Sequence, residues 1–162
     1  YRFNPNLFRN QQLSSSLLIE SRYFIPISKT NKQHVFGFWA YGQFLVSGKL
    51  PYLNLPAIGW DQNSRSGKGY IQGLFRGTNL MFFEGEYRFP ITKNQMISGT
   101  VFTNVTTASN LDNNFKLFES IQPAIGVGLR VLLDKNTLTN FIVNFGLGRE
   151  SQTFYFNDGE GF

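Results

Sequence analysis

Residues 80–91 alternate strictly enough to limit the fold on their own. Met81, Phe83, Tyr87, Phe89 and Ile91 point one way; Glu84, Glu86 and Arg88 point the other. A two-residue period belongs to a strand. Charges in mid-strand, opposite large apolar side chains, require two different surroundings on the two faces of one sheet. The same alternation recurs along the chain. It predicts strands over residues 17–27, 34–48, 80–91, 96–107, 122–133, 138–148 and 152–162, with no helix. Residues 1–12, rich in Asn, Gln and Arg, read as a loop or a fraying end.

Between the second and third strands lies a connection of about thirty residues, 49–79, a length that compact domains keep for functional or disordered segments. This one carries Tyr52, Leu53, Leu55, Ile58, Trp60, Tyr70, Ile71, Leu74 and Phe75, too much apolar surface for a disordered tract. Gly67, Gly69, Gly73 and Gly77 suit a chain folding back on itself. The expectation is an ordered loop tucked inside the strands around it.

Composition removes several function classes. There is no cysteine, and His34 is the only histidine, so a metal site or a nucleophile–histidine dyad is not expected. No cofactor motif and no catalytic constellation is present. Glu84 and Glu86 share a face and resemble an acid/base pair, but a polar wall with Arg88 and Arg130 beside them accounts for them better. The formal charge of +5 is spread out, without the basic run of a nucleic-acid binder. No run of about 18 apolar residues encodes a membrane helix.

Two architectures fit the alternation: a soluble sheet with its charges in water, or a membrane barrel with its charges in the lumen. Three features favour the barrel. Strands of about 10 to 12 residues match a tilted bilayer crossing. Short turns (SKTNKQ, TKNQ, DKNT) alternate with longer loops. The chain ends on Phe162. Seven strands that begin on the long-loop side do not complete an even-numbered barrel, so the expectation is the C-terminal part of a larger barrel, or one completed by partner strands. Asp158 and Glu160 share the parity of Phe154 and Phe156; a place at the membrane interface, or a bulge that resets the phase, would each account for that.

Four stretches then become recognisable: RSGKGYIQGLFRG (65–77), EYRFP (86–90), GTVFTNVTTAS (99–109) and AIGVGLRVLL (124–133). In this order, and followed by a strand ending in Phe, they resemble the BamA/TamA-type outer-membrane assembly family, the bacterial surface antigen family. The resemblance spans roughly residues 34–162. It implies a sixteen-strand transmembrane barrel in the bacterial outer membrane, of which residues 1–162 would be the last seven strands. Such a barrel promotes insertion or translocation of other proteins through its closing strand and lumen loop.

Its partners would be outer-membrane lipid and lipopolysaccharide, client proteins or partner subunits, and the missing N-terminal strands of the same or another chain. The motif Lys68-Gly69-Tyr70 would lie in the lumen, with Lys68 where the family has arginine. Glu86, Phe102 and Asn104 would anchor it on the wall, Asn104 standing for the family's aspartate. The resemblance thus implies a simple Lys68–Glu86 pair with Asn104 as a neutral acceptor. Glu84, Arg88 and Arg130 would line the lumen, and Phe162 would serve as the assembly signal. A passive barrel anchor for a fused or partner domain is the second reading. A soluble β-protein binding an apolar ligand is the third.

Overall fold

The computed structural model describes residues 2–4, 13–31, 33–61, 64–109, 116–134, 137 and 139–159. It is all-β. The described strands are β1 (Arg2–Asn4), β2 (Ser14–Pro26), β3 (Val35–Gly48), β4 (Asn79–Pro90), β5 (Ile97–Ala108), β6 (Ile121–Asp134), β7 (Thr139–Gly148) and β8 (Ser151–Gly159). They form one antiparallel sheet in chain order, with β1 and β8 at its edges. The seven long strands are those the alternation marks, within a residue or a few at each end. The three-residue β1 is the addition. It is too short to show a period, and it raises the strand count to eight, so the parity argument from seven loses its premise. The end of the last expected strand, with Glu160 and Phe162, lies outside the described residues.

The two faces differ as the mid-strand charges require. One buries Trp39, Tyr41, Leu80, Phe82, Glu84, Glu86, Arg88, Phe102, Asn104, Arg130 and Asn144. The other exposes Phe36, Phe38, Phe83, Val101, Ile125, Val127, Leu129, Phe141, Phe154 and Phe156. No second layer covers those rings among the described residues. Asp158 stays on the face of Phe154 and Phe156, because the β7–β8 register runs unbroken from Gly148↔Ser151 to Asn140↔Gly159. The bulge alternative for Asp158 therefore falls. Register shifts occur instead at Ser15/Ser16 and Leu132/Asp134.

What the inner face covers is the long loop. A 3-10 turn at Tyr52–Asn54 begins it, and an isolated bridge pairs Ala57 with Arg76. Ile58 and Phe75 pack on Trp39, Tyr41, Leu80 and Phe82, forming the main apolar cluster. The sheet must curve around the loop. Lys68 reaches Glu84 on β4, and the next residue, Gly69, bonds Thr153 on β8. Four strand steps in a flat sheet would span about 19 Å, whereas adjacent α-carbons are only about 3.8 Å apart. The sheet is a trough, and the loop lies along it.

Candidate functional site: the loop anchor

The loop is first shaped by its own hydrogen bonds. Ile58 N donates to Phe75 O at 3.0 Å, and Gly73 N donates to Ile58 O at 2.8 Å. Asp61 organises the next turn. Its Oδ1 accepts from Ser66 N at 2.8 Å and from Ser66 Oγ at 2.5 Å, and its Oδ2 accepts from Arg65 N at 3.0 Å. Both Asp61 and Ser66 are buried. A side chain that accepts backbone N–H groups two to five residues on is a turn device, and here it aims residues 67–70 at the wall.

Lys68 then enters the inner face and is 1 % exposed. Its Nζ donates to Glu84 Oε1 at 2.6 Å and to Glu86 Oε2 at 3.1 Å, and it lies 4.9 Å from the Phe102 ring centroid. Burial would lower the pKa of this loop lysine, but the two carboxylates beside it outweigh burial and raise it. Lys68 is therefore a cation here. Glu86 also takes Arg88 Nε on its Oε1, with Arg130 Nη1 3.6 Å from the same oxygen. Asn104 Nδ2 donates to the Lys68 carbonyl at 2.8 Å.

The neighbouring residues extend the anchor across the trough. Gly69 N donates to Thr153 Oγ1 at 3.1 Å. At Gly146 a Cβ would lie 2.5 Å from Gly69 N, so the loop backbone rests directly on β7. Gly69 itself has φ +105, which disfavours any side chain there. Tyr70 is buried; its hydroxyl donates to Pro123 O at 2.5 Å and accepts from Arg149 N at 3.0 Å. The Tyr155 hydroxyl is shared between the carbonyls of Gly67, at 3.1 Å, and Tyr70. Arg65 Nη2 donates to the Asp158 carbonyl at 2.7 Å.

Nine of the residues singled out in the sequence (Lys68, Gly69, Tyr70, Glu84, Glu86, Arg88, Phe102, Asn104 and Arg130) thus share one buried patch. The tenth, Phe162, lies outside the described residues. Two details differ from expectation. Lys68 sits between two carboxylates, and Glu84, expected only as a lining charge, is the nearer. Adjacent inward positions on one strand bring both acids within reach of one flexible ammonium. Asn104 acts through its amide N–H on a backbone carbonyl, not as an acceptor for the lysine. Sequence reasoning missed Tyr155, Thr153, Asp61 and Ser66. Thr153 and Tyr155 alternate with Phe154 and Phe156, so the parity of β8 was the available signal.

The arrangement can hold a loop. Three cations and two carboxylates engage one another, and among the described residues no group of three or more His, Asp or Glu side chains is placed to hold a metal. No protein-family model, curated protein or solved structure matches the chain.

Proposed function

We propose that this chain forms part of a non-enzymatic bacterial outer-membrane β-barrel of the assembly or translocation class, with loop 49–79 held in the lumen by Lys68. One observation carries the reading: the charged face is buried against a loop while the phenylalanine face is uncovered. Soluble monomers rarely expose apolar patches beyond a few hundred Å², whereas a barrel wall meets lipid with such a face. The open edges at β1 and β8 fit the same reading. In lipid every backbone donor and acceptor needs a partner, so further strands, from the same or another chain, would complete a ring of the sixteen-strand kind.

Detergent dependence tests the membrane part. The protein should need detergent or bilayer to stay monodisperse, and a soluble monomer obtained without either would refute it. The assembly part is tested by Lys68→Ala. The expected result is impaired assembly of other barrel proteins while the variant itself still inserts. Unimpaired assembly around a folded variant with a loosened loop would leave the passive anchor as the correct reading.

A further inference from the structure

We infer that loop residues 65–70 act as a strap that holds the edge strand β8 on the trough, with Lys68 as its lock. Freeing Lys68 at β4 then loosens β8, across the trough, ahead of the rest of the sheet. The strap holds whichever solvent meets the outer face, so it stands apart from the barrel reading. β8 has few other holds. Among the described residues its one strand neighbour is β7. Outer-face pairs join the two: Phe145 and Phe154 are register partners with ring centroids 4.7 Å apart. On the inner face Thr153 stands opposite Gly146, and Ser151 opposite Gly148. Cross-strand side-chain pairs are what stabilises a sheet, and a glycine offers no side chain to pair.

The loop supplies the missing inner contacts. A Cβ at Gly146 would lie 2.5 Å from Gly69 N, and one at Gly148 2.8 Å from Gly69 O, so loop backbone fills the room the two glycines leave. From there the strap grips β8 along its length. Arg149 N, at the entry to β8, donates to the Tyr70 hydroxyl, and Gly69 N donates to Thr153 Oγ1. The Tyr155 hydroxyl donates to the Gly67 and Tyr70 carbonyls, and Arg65 Nη2 donates to Asp158 O at 2.7 Å. Going back along the loop from Tyr70 to Arg65 therefore goes forward along β8 from its entry to Asp158. The strap lies antiparallel on the inner side of the strand.

Lock and grip cannot move separately. Lys68, in the middle of the strap, is tied to Glu84 and Glu86 on β4, and Asn104 on β5 holds its carbonyl. Gly69 follows at once, and a step of about 3.8 Å between adjacent α-carbons leaves no slack. The strap thus has two states. Locked, Lys68 engages its carboxylates and β8 is clamped from entry to end. Released, residues 65–70 lift together, and among the described residues β8 keeps its ladder to β7 and the outer-face pairs. Segments with few holds open locally, at a free energy below that of global unfolding.

Amide hydrogen exchange on the full chain, folded in detergent micelles, tests the strap. In Lys68→Met the amides of 151–159 should exchange at least about tenfold faster, the equivalent of one hydrogen bond lost. Those of 79–90, the strand that carries both carboxylates of the lock, should change less. If Lys68→Met fails to fold, Lys68→Met/Glu84→Gln removes the stranded carboxylate as well and is read the same way. Two gentler variants locate the grip. Arg65→Ala should speed exchange about tenfold at 156–159 alone. Thr153→Val should speed exchange at the loop amides of Tyr70 and Gly73, which bond Gly67 O and Ile58 O, because coupling between two sites is reciprocal. A rise spread evenly over the sheet, or one confined to β4 and the loop, would overturn the strap. So would loop amides that exchange in Thr153→Val as they do in the parent. A chain that stays folded and monomeric without detergent would count against the barrel reading and not against the strap, whose exchange pattern is then read in buffer.

Discussion

Replacing Lys68 with Met retains most of the side chain's volume and removes its charge, which isolates the electrostatic part of the anchor. The consequences differ for the two acids. Glu86 keeps Arg88 and Arg130 close by. Glu84 has Lys68 as its ion-pair partner among the described residues and is 3 % exposed. The variant therefore leaves one buried carboxylate without an ion-pair partner among the described residues, at a cost of about 3–5 kcal/mol. Adding Glu84→Gln removes that charge and should recover about 2 kcal/mol, within the usual range of coupling between contacting residues. Adding Glu86→Gln instead should recover nothing, because it strips Arg88 and Arg130 of their shared carboxylate. Urea unfolding in detergent micelles gives the free energies, and trypsin cleavage at Arg65 and Arg76 reports loop release. A cost below about 1 kcal/mol, or equal recovery from either glutamine, would refute the assignment of Glu84 as the dependent partner.

Gly146→Ala puts a methyl group 2.5 Å from Gly69 N, and overpacking against backbone should cost about 1–3 kcal/mol, read as a lowered urea midpoint with faster loop proteolysis. Tyr155→Phe leaves the Gly67 and Tyr70 carbonyls without their shared donor; a loss of about 1–3 kcal/mol with unchanged circular dichroism is expected. Phe154→Arg, on the uncovered face, should destabilise the protein in bilayers by up to about 2–4 kcal/mol. The same change on a face in contact with water should stay within about 0.5 kcal/mol, so the size of its effect identifies the solvent of that face.

The strands were legible because each alternates for long enough to show its period, and because charges stand in mid-strand at positions 84, 86, 88 and 130. β1 was not: three residues carry no phase, and its partners Ser14–Ser16 lie ahead of the alternation that starts at Leu17. The loop was legible as an ordered insertion from its aromatic residues, and Lys68 from the resemblance. The division of that lysine between Glu84 and Glu86 was not, since parity says only that both point inward. Distances across a curved wall decide which is nearer. Tyr155 was hidden for a related reason. Its partner carbonyls lie 85 and 88 residues away in the chain, and local pattern cannot announce a contact that exists only once β8 has been laid five strands along from β3.

The glycines of β7 connect loop and wall most directly, and Gly126 on β6 makes room for the Phe102 ring over which Lys68 lies. A Cβ at Gly126 would strike the Phe102 ring, one at Gly146 the Gly69 backbone, and one at Gly148 the Tyr70 ring. Glycine in a strand is destabilising by roughly 0.5–1 kcal/mol relative to alanine, so these positions weaken the bare sheet. What offsets them is the close seating of residues 68–70, with the hydrogen bonds and ion pairs that seating allows. The wall at β7 is therefore built to receive the loop, and sheet and loop form a single stability unit. A version lacking residues 50–78, joined by a short turn, should lose more than the loop's own contacts: Glu84, Glu86, Arg88 and Arg130 would face one another across an emptied trough without Lys68.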